Sequence, residues 1–316
     1  MDISKTILIT GGAGFIGSNL CEKLVQNNRI ICVDNFCTGS INNIEKFLDN
    51  PNFTLIEHDI INPLEIDEKI DEIYNLACPA SPKSYQGKNA IFTTKTCVLG
   101  SINMLDLANK HNAKILQSST SEVYGEPLEH PQNEKYRGNV NSIGIRACYD
   151  EGKRCAESLF FDYQRNYGTK IKVVRIFNTY GKNMQVDDGR VISNLICQAL
   201  MGKKLTIYGD GNQTRSFCYV DDLVDILIKV MSSKDDFLGP INIGNPQEFT
   251  ILELANLIKQ KINNDIEIDF MPLPQDDPCK RKPDITLAKS MFNWEPKIKL
   301  EEGLDLTIKY FKERLT

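Results

Sequence analysis

The sequence from Thr6 to Gly17 reads TILITGGAGFIG, a short apolar run that leads into a glycine-rich turn and then into an apolar helical pattern. In such a pattern Gly11 permits a tight turn, Gly14 lets the backbone approach a pyrophosphate, and Gly17 allows close packing of helix against strand. A helix that begins here offers free N–H groups and a positive dipole end to phosphate. The stretch therefore predicts a dinucleotide-binding turn.

Short apolar runs alternate with helical patterns between residues 5 and 178. The runs predict strands at residues 6–10, 30–34, 53–58, 72–76, 114–119 and 172–177, and the helical patterns include residues 16–27, 93–111 and 151–167. Alternation of this kind is typical of a parallel sheet that is covered by helices on both faces. The sequence therefore predicts an α/β fold built on a doubly wound parallel Rossmann sheet.

The pattern becomes irregular beyond residue 178, where Pro, Gly and Asp are frequent, notably at residues 209–211 and 271–283. Residues 240–244 predict one more strand that returns to the sheet, and residues 300–314 predict an amphipathic final helix. We therefore expect a Rossmann domain at residues 1–178, to which residues 214–245 return. Residues 179–213 and 246–316 are expected to form a smaller substrate-binding lobe.

Composition excludes some classes of function. The 316 residues carry a net charge of −5, so no basic surface for nucleic acid is expected. No stretch reaches the roughly 18–20 apolar residues that span a bilayer, and the first residues run into a strand without a secretion leader, which predicts a cytoplasmic protein without a membrane partner. The ten cysteines form no C-x-x-C pair, which predicts reduced thiols and no metal site.

A carboxylate marks the end of the second predicted strand. Asp34 lies 17 residues past Gly17, where the adenosine ribose of a dinucleotide is expected. Residues 35–40 contain no Arg that could bind a 2′-phosphate, so NAD is favoured over NADP. Asp59 follows the third predicted strand, where it either meets the adenine or serves only as a turn residue.

Tyr149 and Lys153 lie four residues apart, which places them on one face of a helix. A phenol normally has a pKa of about 10, and both the ammonium and a positive nicotinamide would favour the phenolate. Tyr149 would then take a proton from a hydroxyl group, and Lys153 would also bind the nicotinamide ribose. Thr120, at the carboxyl end of the strand predicted at 114–119, would hold the reacting hydroxyl.

These features together resemble the extended short-chain dehydrogenase/reductase family over essentially the whole chain. The segments that carry the resemblance are residues 79–82, 119–125, 146–154, 175–181, 188–191, 213–215 and 280–284. Within the family, the resemblance is to the carboxy-lyases that convert UDP-glucuronic acid to UDP-xylose with an NAD that is regenerated in each cycle. It also implies a homodimer in which the helices around 93–111 and 151–167 of two chains form a four-helix bundle.

The resemblance implies a reaction in which oxidation at carbon 4 turns the sugar acid into a β-keto acid, which then loses carbon dioxide. Related 4,6-dehydratases carry Thr-Asp-Glu where this chain has Thr120, Ser121 and Glu122, and simple 4-epimerases typically lack the Glu. Arg281 matches a family arginine that binds the substrate carboxylate or relays a proton to carbon 5. Ser121 and Glu122 are therefore expected in the catalytic site together with Arg281.

Further site residues are implied by the resemblance alone. Around the cofactor it adds Phe15, Ile16, Asn35, Thr38, Gly39, Ile60, Leu76, Thr96, Thr179 and Arg190. Around the nucleotide sugar it adds Tyr85, Lys95, Asn103, Asn178, Tyr208 and Arg215. Arg215 is the best candidate for the diphosphate, whereas Tyr208 is a uracil neighbour or a core aromatic residue. Cys78 stands beside the crevice where relatives often carry Ser, and Cys148 is interpreted as a packing residue.

Other functions compete with decarboxylation. A UDP-glucuronate 4-epimerase, or another NAD-dependent nucleotide-sugar enzyme such as a UDP-apiose/UDP-xylose synthase, would use the same oxidation step. A non-catalytic NAD-binding protein would need no acid–base pair, so Thr120, Tyr149 and Lys153 argue against it. A purely structural protein is disfavoured by the dense set of polar residues.

Overall fold

The computed structural model of the protein describes residues 4–273 and 280–315. Residues 274–279, which belong to the irregular segment predicted at 271–283, lie outside the described residues, as do residues 1–3 and 316. No helix within the described ranges is long and apolar enough to cross a bilayer.

Strands run through the whole described chain. They are β1 (Thr6–Thr10), β2 (Arg29–Asp34), β3 (Phe53–Glu57), β4 (Glu72–Asn75), β5 (Lys114–Thr120), β6 (Ile171–Ile176), β7 (Thr179–Tyr180), β8 (Leu205–Tyr208), β9 (Thr214–Ser216), β10 (Cys218–Tyr219), β11 (Ile241–Ile243), β12 (Glu248–Thr250), β13 (Ile268–Met271) and β14 (Lys280–Arg281). Within the described part, seven of them form a parallel sheet in the order β11-β6-β5-β4-β1-β2-β3. The strand predicted at residues 240–244 is thus confirmed as an edge strand of this sheet.

Helices connect these strands. They are α1 (Phe15–Leu24), α2 (Pro82–Tyr85), α3 (Ala90–His111), α4 (Ala147–Tyr167), α5 (Val191–Leu200), α6 (Val220–Met231), α7 (Ile251–Ile262), α8 (Thr286–Phe292) and α9 (Leu300–Leu315). Alternate residues of a strand face opposite sides of a sheet, and β1 packs accordingly. Ile7 and Ile9 join a core with Leu20 of α1, whereas Leu8 joins the opposite core with Leu105 and Phe160. Both faces are therefore covered, and the predicted doubly wound sheet is confirmed.

The carboxyl ends of the central strands are held together by a buried polar ladder. Asn75 accepts a hydrogen bond from the Thr10 hydroxyl at 2.9 Å and donates one to Gln117 at 2.7 Å. These residues end or lie in β1, β4 and β5, and the strand order reverses between β1 and β4. Parallel sheets of this kind open a crevice for ligands at such a reversal.

A second small sheet brings two predicted arginines together. Its strands follow the order β12-β9-β14, and the parallel pairing of β14 with β9 places Arg281 opposite Arg215. The two arginines are 66 positions apart in sequence. Their proximity therefore depends on the fold and not on local spacing.

Helix α4 begins four residues earlier than the start predicted from the apolar pattern, at Ala147 instead of residue 151. The first turn is rich in polar residues that face inward, among them Tyr149 and Asp150. An inward polar face carries no hydrophobic periodicity, so the pattern could not reveal it. The earlier start places Tyr149 and Lys153 one helical turn apart.

Replacing Gly17 with alanine is expected to destabilise the protein by about 3 kcal/mol, because the added methyl group overpacks the turn and forces the backbone to shift. A methyl group at Gly17 would lie 2.1 Å from the Gly11 carbonyl oxygen, whereas one at Gly14 would lie 3.1 Å from the same atom. Urea unfolding of both variants measures the difference. A Gly17→Ala variant as stable as Gly14→Ala would contradict this account of the turn.

Candidate active site

A cavity of about 560 Å³ opens at the carboxyl ends of the central strands, between the glycine turn and the smaller sheets. Most of the predicted site residues line it. Those around the predicted cofactor are Gly11, Gly14, Phe15, Ile16, Gly17, Asp34, Asn35, Thr38, Asp59, Ile60, Leu76, Thr96, Thr179 and Arg190. Those around the predicted substrate and reacting centre are Tyr85, Thr120, Ser121, Glu122, Tyr149, Lys153, Asn178, Tyr208, Arg215 and Arg281.

Three predicted site residues do not line the cavity. Lys95 is exposed on α3, and Asn103 of the same helix donates its side-chain N–H to the Ile60 carbonyl at 2.8 Å. Gly39 lies behind the Asp34 carboxylate, where an added Cβ would come within 2.7 Å of an oxygen. The positions of these three residues do not favour direct contact with a ligand. Asn103 and Gly39 instead contact Ile60 and Asp34, which do line the cavity.

The start of α1 presents a binding site for an anion. Its cap residue Gly14 has no side chain to satisfy the first-turn N–H groups, which leaves them available to a ligand. The guanidinium of Arg190 lies 5.2 Å from the Phe15 ring centroid and is paired with Asp188 at 2.5 Å. Backbone donors with a nearby cation suit a pyrophosphate.

Asp34 lines the cavity at the end of β2. Its carboxylate accepts backbone N–H bonds from Ala13 at 2.9 Å and from Phe36 at 2.8 Å. Burial nevertheless raises the pKa of Asp34 above its ordinary value. Asp59 accepts a bond from the Asn35 side chain at 3.1 Å, which joins the two loops beside the cavity. A carboxylate at this edge suits ribose hydroxyls, as the sequence predicts.

Tyr149, Thr120 and Lys153 come together at the centre of the cavity. The Thr120 side chain lies close enough to the Tyr149 phenol to lower its pKa, and the Lys153 ammonium lies 5.8 Å from the Tyr149 ring centroid. Lys153 donates to the Ser118 carbonyl at 2.8 Å, which fixes its position at the end of β5. Tyr85 stacks on Tyr149 with ring centroids 4.8 Å apart.

Burial raises the pKa of the Tyr149 phenol well above its ordinary value, and the neighbouring Cys78 raises it further. The polar side chain of Thr120 acts in the opposite direction and lowers this pKa. The expectation that Lys153 helps to make Tyr149 a phenolate therefore finds no support in the chain alone. Burial therefore opposes the phenolate form of Tyr149 at this position.

A buried cluster of charges adjoins this centre. Glu122 accepts hydrogen bonds from Arg146 at 2.6 Å and from Arg281 at 3.3 Å, and Arg281 also donates to the Ser121 carbonyl at 3.0 Å. Burial would raise the pKa of Glu122, but the two guanidinium groups outweigh it and lower that pKa to about 2. Glu122 is therefore a carboxylate at neutral pH, with its charge already balanced.

Sequence reasoning missed Arg146 and Asp150. Arg146 lines the cavity beside Tyr85, and the Asp150 carboxyl is buried with one oxygen that has no hydrogen-bond partner among the described residues. Their spacing was an available signal, because Arg146, Tyr149, Asp150 and Lys153 fall at intervals of three and four residues and so share one helical face.

Asp150 should make folding stability depend on pH. Burial and then the negative charge of Glu122 raise the pKa of Asp150 to about 7, above its value of 3.8 in an unfolded chain. The proton on Asp150 adds to the free energy of unfolding, and this contribution is complete below about pH 4. It is lost as the pH rises towards 7, and it has an upper limit of about 4 kcal/mol. Asp150→Asn should therefore flatten the pH dependence of urea unfolding between about pH 4 and pH 7.

The exposed Asp162 on the same helix offers a matched control for this substitution. Asp162→Asn makes the same exchange of side chains on the same helix, but at an exposed position where the carboxylate pairs with Arg165. Equal slopes of stability against pH in Asp150→Asn and wild type would show that Asp150 does not bind the proton.

Glu157 anchors α4 to the sheet one turn beyond Lys153. Its carboxylate accepts bonds from Arg175 of β6 at 2.7 and 2.9 Å and from the Ser119 hydroxyl of β5 at 2.5 Å. The helix that carries Tyr149 and Lys153 is thus bound to two central strands. No group of three His, Cys, Asp or Glu side chains suited to a metal ion occurs in the described part of the chain.

Comparisons with known proteins identify similar chains. UDP-glucuronic acid decarboxylase 5 of Arabidopsis thaliana is 57% identical over 98% of this chain and 90% of its own length. UDP-glucuronic acid decarboxylase 1 of Danio rerio is 52% identical over 98% of this chain and 73% of its own length.

Solved structures share the fold. A UDP-glucuronic acid 4-epimerase from Bacillus cereus, in complex with UDP-glucuronic acid and NAD, is 28% identical with a TM-score of 0.89, covering 98% of this chain and 99% of that one. The UDP-glucose 4-epimerase of Thermotoga maritima, with UDP-glucose, is 31% identical with a TM-score of 0.88, covering 98% and 100% of the two chains.

A family model also matches most of the chain. The match covers residues 7–244 and so includes the glycine turn, the central sheet and the helix that carries Tyr149 and Lys153. The chain therefore belongs to the NAD dependent epimerase/dehydratase family.

Proposed function

We propose that this protein converts UDP-glucuronic acid to UDP-xylose by an NAD-dependent decarboxylation. The names of the Arabidopsis and zebrafish relatives support this reaction, since both align with 98% of the chain. The observation that carries the proposal is the buried cluster in which Arg281 and Arg146 bind Glu122 next to Thr120. Such a cluster suits a substrate whose carboxylate takes part in the chemistry.

The cavity residues fit NAD⁺, which would supply a hydride acceptor that is restored at the end of each turnover. In this proposal the glycine turn and the first turn of α1 bind the pyrophosphate, with Arg190 nearby. Asp34 binds the adenosine ribose, and Lys153 binds the nicotinamide ribose. Residues 1–178 with 214–245 form the cofactor domain, and residues 179–213 and 246–316 bind the nucleotide sugar.

Tyr149 would act as the base for the hydroxyl on carbon 4 of the sugar. Thr120 and Tyr149 both line the cavity and are neighbours there, so a sugar hydroxyl between the two side chains would lie within reach of the phenol oxygen. Because burial opposes the phenolate, the proton would leave only when positive charge is present in the cavity. This dependence would prevent Tyr149 from ionising before the cofactor is in place.

Decarboxylation follows from the ketone that the oxidation creates. With carbon 4 as a carbonyl, the carboxylate becomes that of a β-keto acid, and its bond to carbon 5 breaks to release carbon dioxide and leave an enolate. Carbon 5 then takes up a proton, and the carbonyl is reduced to a hydroxyl. Arg281 would hold the carboxylate before it departs, and Tyr85, whose buried hydroxyl has no described partner, would contact the sugar.

A 4-epimerase of the same substrate is the alternative to be tested, because the Bacillus cereus epimerase shares the fold. The purified protein would be mixed with NAD⁺ and UDP-glucuronic acid labelled with ¹³C at the carboxyl group. Loss of that label as carbon dioxide, with UDP-xylose in the NMR spectrum, is the expected result. An epimer that keeps the labelled carboxylate would overturn the proposal, and a UDP-apiose signal would reveal the second product.

The protein is also proposed to be a homodimer. Helices α3 and α4 pack against each other, and Ile91, Lys95 and Leu99 lie one turn apart on the exposed side of α3. Two apolar side chains in such a row suit a helix bundle between two copies. Light scattering should give twice the chain mass of 35.8 kDa, and a monomer at all concentrations would contradict the proposal.

A cytoplasmic location is proposed on the basis of the cysteines. The nine described cysteines are free thiols, which suits a reducing compartment. Imaging of the tagged full-length protein in its own cell would test the location, and accumulation in a membrane-bound compartment would contradict it.

A further inference from the structure

Two thiols from different elements meet beside the candidate active site. Cys78 follows β4 and lines the cavity, whereas Cys97 is buried on α3. Their sulfur atoms are 3.3 Å apart. A disulfide requires about 2.05 Å, so a movement of little more than 1 Å separates the thiol pair from a covalent bond.

The two cysteines differ in chemical character. Burial would raise the pKa of Cys78, but the hydrogen bond from Cys97 and the ammonium of Lys153 outweigh it and lower that pKa. The pKa of Cys97 is raised by its contact with Cys78 and by burial. Peroxides react with thiolates in cavities that solvent can reach. Cys78 is therefore suited to react first, with Cys97 as the partner that resolves it.

Cys97 also packs against the helix that carries Tyr149 and Lys153. Cys97 packs against Gly152 of α4, where an added Cβ would lie 3.0 Å from the Cys97 Cβ. Gly152 lies between Tyr149 and Lys153 in the same helical turn. A shift of Cys97 towards Cys78 would therefore remove the contact that supports this turn from the side of α3.

We propose that Cys78 and Cys97 form a reversible disulfide when the protein meets hydrogen peroxide, and that this bond switches the active site off. The Cys78 thiolate attacks a peroxide oxygen and becomes a sulfenic acid as one water is released. The Cys97 sulfur then attacks the sulfenic sulfur, expels a second water and forms the S–S bond. Two thiols lose two electrons and two protons, and one hydrogen peroxide becomes two waters.

The expected loss of activity follows from geometry. Catalytic groups displaced by about 1 Å can lose about 100-fold in rate, and the bond draws the sulfur atoms together by a similar distance. The oxidised protein should therefore turn over UDP-glucuronic acid at least about tenfold more slowly, with recovery after dithiothreitol. Sulfinic acid formation would not be reversed by dithiothreitol, so recovery distinguishes the two products.

Peptide mapping tests the bond independently of the proposed activity. The full chain, purified with NAD⁺, would be treated with hydrogen peroxide, and the digest would be examined by mass spectrometry without reduction. A peptide pair linked through Cys78 and Cys97 is expected, and it should disappear after dithiothreitol. A link from Cys78 to Cys148, or no link at all, would overturn the proposal.

Variants connect the bond with the activity. Cys97→Ser should form no linked peptide after peroxide treatment, because the second sulfur is gone, and the unresolved Cys78 sulfenic acid should be oxidised further to a form that dithiothreitol does not restore. Cys155→Ser, at an exposed position on α4, should lose activity like wild type and serves as the matched control. Equal rates of reversible inactivation in Cys97→Ser and Cys155→Ser would also overturn the proposal.

Discussion

Replacement of Tyr149 with phenylalanine is expected to lower the turnover of UDP-glucuronic acid by about a thousandfold, within the range typical of a lost general base. The phenol oxygen is the only atom removed, and the ring remains able to stack on Tyr85 at a centroid distance of 4.8 Å. Folding and cofactor binding should therefore change little. Release of labelled carbon dioxide under saturating substrate measures the effect.

Tyr163 supplies a matched control for this substitution. It lies on the same helix and donates its hydroxyl to the exposed Asp106 at 2.8 Å, away from the cavity. Tyr163→Phe removes an equivalent hydroxyl and should keep near wild-type turnover. A Tyr149→Phe variant that retained more than about a tenth of wild-type turnover would show that another group takes the proton.

Replacement of Arg281 with methionine is expected to lower decarboxylation by about 100-fold, as is typical when a preorganised charge contact at a reacting group is lost. Arg281 is 1% exposed and binds Glu122 and the Ser121 carbonyl. Methionine has a similar length without a charge, so Glu122 would lose the largest of the positive charges that lower its pKa, and that pKa would rise. Carbon dioxide release at several pH values measures both effects.

Lys280 is the control for this second substitution, because it is exposed and precedes Arg281 in the same short strand. Lys280→Met should leave turnover within about twofold of wild type, as is usual for exposed surface positions. Retention of decarboxylation by a folded Arg281→Met variant would remove Arg281 from the mechanism. Circular dichroism would identify a variant that failed to fold.

The main elements of the fold could be predicted from the sequence because their signals are local. The glycine turn of residues 11–17 and the apolar strands next to it can be recognised from residues that are adjacent in sequence. These strands form the sheet as predicted. The start of α4 was predicted too late, since its first turn buries polar side chains. Hydrophobic periodicity cannot detect a helical face whose buried residues are polar because they line a functional site.

The candidate site was predictable only in part. The spacing of Tyr149 and Lys153 predicted their common helical face, but the presence of both Arg281 and Glu122 in the site came from family resemblance alone. Their direct contact, which spans 159 residues, was not predicted. Lys95 does not line the cavity, because it lies on the solvent-exposed face of α3. Arg146 and Asp150 were overlooked although their spacing matches that of Tyr149 and Lys153.

The attachment of α4 through Glu157 bears on how the protein loses activity under stress. A helix bonded to Arg175 and Ser119 on two inner strands cannot unravel while those strands stay paired. Local opening of this segment should therefore be rare, and its amide hydrogens should exchange only in molecules that have melted globally. Inactivation by urea would then coincide with the cooperative transition, leaving no folded but inert population.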